Sequence, residues 1–187
     1  MFKIISEENM KISKWSGGIT KELYIFPEDS LYSERNFQFR ISIATTETEN
    51  STFTKLNGVD RVISILDGTM EIFHEGHYNK ILNPYEIDRF KGDWNTTSKG
   101  KVTDFNLMLK GCKGDFFYEK FSNEKKINFD DKLKKLNNKN ILFIYCIFGE
   151  IEVKNKIIKK GQLLLTDEKE IDIFSRNSKI FYGYIEI

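Results

Sequence analysis

Phe37-Gln38-Phe39-Arg40-Ile41-Ser42-Ile43-Ala44 reads as a strand with two unlike faces. Side chains alternate along a strand, so Phe37, Phe39, Ile41 and Ile43 share one side, and Gln38, Arg40 and Ser42 share the other. A second stretch repeats the pattern: Asp104 and Asn106 alternate with Phe105, Leu107 and Leu109. Charged groups rarely stand inside apolar runs unless they are paired or bound. Two such strands imply a polar pocket within a β-core.

Around these stretches the chain is mostly short apolar runs punctuated by turns. The runs include Thr20 to Phe26, Arg61 to Leu66, Tyr78 to Leu82, Ile141 to Phe148 and Ile180 to Ile187. Asn57-Gly58, Asp67-Gly68, Glu75-Gly76, Asn83-Pro84 and Lys160-Gly161 fall between runs as turn signals. Helical spacing occurs at Phe129, Leu133 and Leu136, behind a capping Asn128. One short helix among many strands predicts an all-β sandwich or barrel.

An internal repeat sharpens this expectation. Ile65-Leu66-Asp67-Gly68-Thr69-Met70-Glu71-Ile72 matches Cys146-Ile147-Phe148-Gly149-Glu150-Ile151-Glu152-Val153 in its glycine, in the acid three residues on, and in the flanking apolar pattern. Each copy leads to a closing apolar strand. The repeat predicts two related β-units, residues 1–115 and 116–187, split near Gly111 to Asn123. Where the first closing strand carries Asp104 and Asn106, the second carries Tyr182 and Tyr184, so the polar constellation belongs to the first unit. The second unit reads mainly as a packing partner.

Composition narrows the function classes. The 187 residues carry 29 Lys and Arg against 28 Asp and Glu, which gives no basic excess for nucleic acid. The lysines from Lys132 to Lys139 lack interleaved aromatics and read as a solvated face. No apolar run is long enough to span a bilayer, and acids follow the first residues before a signal-peptide core forms. Two cysteines fit neither a metal-ligand spacing nor a disulfide framework, so the expectation is a reduced, cytoplasmic protein.

His74 and His77 invite a metal reading, but they stand three apart with Glu75-Gly76 between them, whereas an H-x-H pair shares one strand face. The dipeptide reads as a two-residue hairpin turn with both histidines at an exposed tip. No metal and no other cofactor is expected. Cys112 reads as a loop thiol and Cys146 as core, which leaves no nucleophile and no assigned catalytic residue. Asp93 and Asp104 are the candidates for an acid/base pair.

Arg40 offers a planar fork suited to a carboxylate, and Ser42 and Asn106 lie nearby on the same face. The alternative is an internal Arg40–Asp104 salt bridge. Arg61 poses the same choice, because its neighbour Asp60 points to the opposite face once the strand begins. Trp15, ahead of Gly17-Gly18, either walls a pocket or plugs the barrel end.

Five pieces in order, taken together, resemble the HutD/Ves family of bicupin proteins. They are Trp15-Ser-Gly-Gly18-Ile-Thr20, Arg40-Ile-Ser42-Ile-Ala44, Phe53-Thr-Lys-Leu-Asn-Gly58-Val-Asp60-Arg61, Phe90-Lys-Gly92-Asp93 and Asp104-Phe-Asn106-Leu-Met108. Thr54 stands where that family more usually has serine. The resemblance implies a double cupin, two fused double-stranded β-helix barrel units with at most one or two short helices and without the usual metal ligands. It further implies a role in histidine utilisation and a small acidic ligand such as formylglutamate. The ligand-binding residues it implies are Trp15, Thr20, Arg40, Ser42, Arg61, Asp93, Asp104 and Asn106. The expected function is non-catalytic binding of a carboxylate-bearing metabolite that regulates histidine or amino-acid utilisation; a metal-independent isomerase or hydrolase acting on a small acid is the alternative. Exposed edge strands leave room for a homodimer.

Overall fold

The computed structural model describes residues 1–6, 10–128, 140–168 and 170–187. The expected helix from Phe129 to Leu136 and the lysine cluster from Lys132 to Lys139 lie outside the described residues. Among those described the regular structure is β, interrupted by one 3-10 turn at Tyr32–Glu34. No helix among them is long and apolar enough to cross a membrane.

The chain forms two compact units, residues 10–111 and residues 1–9 with 112–187. The first nine residues therefore join the second unit rather than the first, and the boundary is the bend at Gly111 and Cys112. That boundary falls at the start of the expected split, Gly111 to Asn123, and the rest of the stretch belongs to a strand.

The 10–111 unit contains β2 (Lys11–Trp15), β3 (Gly18–Phe26), β4 (Phe39–Thr46), β5 (Asn50–Thr52), β6 (Val59–Asp67), β7 (Met70–His74), β8 (Tyr78–Leu82), β9 (Ile87–Lys91), β10 (Thr96–Lys99) and β11 (Val102–Lys110). Six form one antiparallel sheet in the order β2-β3-β4-β11-β6-β9, and four form another, β5-β10-β7-β8. Ile63 and Ile65 of the first sheet pack with Met70, Ile72 and Leu82 of the second, together with Phe90 and Val102. This two-sheet barrel is the cupin unit.

The other unit is one sheet built from β1 (Phe2–Ile5), β12 (Lys113–Asn128), β13 (Asn140–Phe148), β14 (Glu150–Val153), β15 (Lys156–Lys159), β16 (Leu163–Thr166) and β17 (Glu170–Glu186). Its long strands do the work of two each. The second half of β17 pairs β13 as β11 pairs β6, while its first half reaches β14 through Glu152 and Phe174 as β10 pairs β7. The double cupin expected from sequence is the observed fold. Gly68 and Gly149 sit at the equivalent turns with φ of 85° and 77°, a left-handed backbone that suits glycine.

Aligned on those glycines, the registers correct one detail of the repeat. Asn106 faces Ile63 across the ladder and Tyr182 faces Ile144, so Tyr182 does correspond to Asn106. Asp104 faces Ile65, however, and the matching partner of Cys146 is Ile180. The counterpart of Asp104 is thus Ile180, not a tyrosine; Tyr184, opposite Leu142, matches Met108 opposite Arg61. The second unit fills this region with apolar side chains: Leu142, Ile144, Cys146 and Ile180 are buried in one cluster with Tyr182 and Tyr184 packed on it.

Candidate functional site

The register of the six-stranded sheet lays the polar side chains out in rows. Arg40 on β4 and Arg61 on β6 both pair with Met108 of β11, so one row runs Arg40, Met108, Arg61. The next row holds Glu22, Ser42 and Asn106, and the one after it Thr20, Ala44 and Asp104. Directly opposed residues share a face, so all of these belong to one side of the sheet. The other side carries Phe39, Ile41, Phe105 and Leu107, all buried.

Over the polar side lies a cavity of about 660 Å³. Trp15, Thr20, Arg40, Ser42, Arg61, Asp104 and Asn106, seven of the eight residues expected at a site, line it. Asp93 does not. It lies exposed in the turn after β9, close enough to Lys91 to act on its charge, so an acid/base pair with Asp104 has no geometry here. Trp15 is partly exposed, and its ring covers Gly17, where an added Cβ would fall 2.1 Å from the ring.

The ion pairs differ from the expected one. Arg40 is bound not to Asp104 but to Glu22 of β3: Nε donates to Oε2 at 2.6 Å. A guanidinium N–H also donates to Ser42 Oγ at 3.2 Å, and the group stands 4.3 Å over the ring of Tyr32. Glu22 and Tyr32 escaped the sequence reading, and Tyr32 lines the cavity as well. Glu22 sits in the polar run Thr20-Lys21-Glu22, which has no alternation to mark it, and a register shift between Glu22 and Tyr24 obscures its facing.

Arg61 is buried, stacked 4.8 Å from the Phe53 ring and 5.2 Å from Phe90. Burial lowers its pKa to about 10, against the pull of the nearby Asp104 carboxylate. Burial likewise pushes Asp104 up to about 7, with Arg61 and the Asn106 amide opposing. Asp60 turns away to bind Lys91, and the carboxylate that acts on Arg61, through its charge, is Asp104. Arg61 Nε, Asp104 Oδ1 and Asn106 Oδ1 are all buried with no hydrogen-bond partner among the described residues. Such orphaned atoms are rare in native structures and call for a physical account.

His74 departs from expectation. The turn after β7 spans three residues, with His77 N–H donating to His74 C=O at 2.9 Å and Gly76 at a φ of 77°. Only His77 lies at the exposed tip, stacked on Trp94 at 3.7 Å. His74 is buried, with Nε2 donating to Asp88 Oδ2 at 3.0 Å and Nδ1 at 2.8 Å from Thr96 Oγ1. Among the described residues no three His, Cys, Asp or Glu side chains converge as metal ligands.

A family model described as HutD matches residues 7–179 of the chain. The chain belongs to the HutD family. Among solved structures, the conserved protein of unknown function PA5104 from Pseudomonas aeruginosa PAO1 superposes with a TM-score of 0.82 at 17% identity, over 100% of both chains. HutD from Pseudomonas fluorescens SBW25, in a formate condition, gives 0.74 at 18%, over 98% of each chain. YhhW from Escherichia coli gives 0.73 at 9%, over 98% of this chain and 97% of that one. At these identities the likeness establishes the shared fold. No curated protein matches by sequence. The five ordered motifs that suggested the family all fall within the matched span.

Proposed function

We propose that this HutD-family chain binds a small carboxylate-bearing metabolite in the cavity of its 10–111 unit without transforming it, and that occupancy regulates histidine or amino-acid utilisation. The observation that carries the reading is the set of orphaned buried atoms on Arg61, Asp104 and Asn106 in the cavity wall. A wall of buried, unsatisfied polar groups is costly unless a ligand completes it. The corresponding region of the second unit, filled with Leu142, Ile144 and Ile180, has no comparable polar wall.

The anchor is Arg61 rather than Arg40. Glu22 and Ser42 already occupy two edges of the Arg40 guanidinium, whereas Arg61 has an unused donor and a flat aromatic bed that holds its plane. A forked carboxylate contact at Arg61 is the interaction the ligand brings. Arg40, Ser42 and Asn106 then orient its remaining polar groups, and Trp15 covers the mouth.

Calorimetric titration of the full chain with formylglutamate, formiminoglutamate, urocanate, histidine and glutamate tests this. Saturable binding of one acid, lost in Arg61→Met, is the expected result. Silence across the set would separate the chain from histidine metabolism.

One observation favours a second reading. A buried carboxyl at about 7 beside a cavity is suited to moving protons, which is what a metal-independent isomerase or hydrolase would ask of Asp104. Turnover of any of the five acids, abolished in Asp104→Asn, would replace binding with catalysis.

A further inference from the structure

We propose that each ligand whose carboxylate takes the Arg61 fork brings one proton into the cavity with it, held on the Asp104 side chain. This rests on reading the cavity as an anion site, and it follows from two anions competing for one buried cation.

The charged groups around Asp104 can be enumerated strand by strand. β6 contributes Arg61, with Ile65 directly opposite Asp104. β4 contributes Arg40, with Ala44 directly opposite. β3 contributes Glu22, which is committed to Arg40. β2 brings Lys14 to the cavity wall, and Tyr32 adds a phenol. On β11 itself the neighbour on the same face is the neutral Asn106. Of these, Arg61 and Asn106 are the groups that favour the Asp104 carboxylate.

Among the described residues, Arg61 is the cation whose charge offsets Asp104. A ligand carboxylate that takes the Arg61 fork sets a second anion beside it in a buried, low-dielectric wall. Two carboxylates sharing such a site cannot both stay ionised cheaply, and one takes a proton. The ligand carboxyl starts near the ordinary carboxylate range, and it keeps the guanidinium contact. Asp104 already binds its proton at about 7 because of burial, so it is the group that yields. The balance is one ligand anion plus one proton from solvent going to one neutral Asp104 carboxyl and one bound anion. No bond other than O–H forms.

The test uses the full chain and N-formylglutamate, whose carboxyls are ionised throughout pH 6–8. Titrations at pH 8 in phosphate and in Tris, buffers of different ionisation heat, read the protons taken up. The expected result is about one proton per ligand at pH 8 and far fewer at pH 6, with affinity weakening about tenfold per pH unit above 7. Asp104→Asn should show the same affinity at pH 6 and pH 8 and no uptake; the wild-type buffer pair stands if that variant fails to fold. Binding with buffer-independent heat and a flat pH profile would overturn the proton coupling and leave the anion site intact. Absence of binding at pH 6, where Asp104 is already protonated, would overturn both.

Discussion

Arg40 reaches one strand over and donates from Nε to Glu22 Oε2 at 2.6 Å, although its register neighbour on β3 is Ile25. The contact runs diagonally across β3 and β4, because Glu22 is in register with Ser42. It fixes the guanidinium plane over Tyr32 and supplies the counter-charge for a buried cation.

Replacing Glu22 with Gln should therefore destabilise the chain by about 3 kcal/mol, the low end for breaking a buried ion pair, since Glu22 retains some exposure. Pairing it with Arg40→Met should recover most of that loss, because no charge is then left without a partner. Urea denaturation of the two single variants and the double variant measures both. Additive losses would mean that the pair contributes no coupling.

Asp104 makes stability fall with rising pH. Its folded value is about 7 against an ordinary 3.8, so between those values the folded chain holds a proton that the unfolded chain has lost. Stability then decreases as pH climbs from about 4 to 7 and levels off above. The ceiling is about 4 kcal/mol, from 1.36 kcal/mol for each pH unit, and Arg61 shares part of it. Asp104→Asn lacks this term, so the wild type should lose stability relative to the variant across that window. Parallel denaturation curves at pH 5 and pH 8 would refute it.

The parts of this site that alternate were visible in the sequence, and those that do not alternate were hidden. Arg40, Ser42, Asp104 and Asn106 stand out because a period of two sets each polar group inside an otherwise apolar strand. The glycine-anchored repeat exposed the two units because only glycine sits easily at the left-handed turns of Gly68 and Gly149. Glu22 gave no signal, being one polar residue in a polar run. β2, β5 and β10 were missed because their exposed or polar residues carry no apolar face to read. The stretch from Gly111 to Asn123 reads as a boundary, yet most of it belongs to β12 (Lys113–Asn128), which pairs along nearly the whole of β17. Its charged residues break any clean alternation, and only the partner strand defines it. His74 was misplaced because a two-residue turn and a three-residue turn look alike until the backbone shows which carbonyl accepts.

His74 joins the two sheets of the 10–111 unit, since it ends β7 while its partner Asp88 lies on β9. Tyr78 adds a hydroxyl 3.0 Å from Asp88 Oδ1, and Phe90 and Trp94 pack on the imidazole. His74→Ala should cost about 3 kcal/mol, from a cavity plus the loss of the imidazole partner of Asp88 Oδ2 and of Thr96 Oγ1. Binding at the cavity should persist in the folded fraction, because His74 is not in its wall. Thermal melts together with a titration check the two halves separately. A loss of affinity at unchanged stability would put His74 in the site.

Gly17 and Trp15 both line the cavity, with the indole lying against Gly17. A Cβ at this position would lie 2.1 Å from the Trp15 ring, so Gly17→Ala must move the indole away. Trp15 is 38% exposed, so displacing the indole uncovers at most the rest of its surface, and the loss of stability should stay below about 4 kcal/mol. In a Trp94→Phe background Trp15 is the sole tryptophan, and its emission should shift to the red with quenching by acrylamide increased. If Trp15 covers the bound acid, the same substitution should speed ligand release more than it slows entry, since a displaced cover no longer holds the ligand. Stopped-flow fluorescence with the acid that binds reads both rates. An unchanged release rate with a red-shifted indole would show that Trp15 lies at the mouth without closing it.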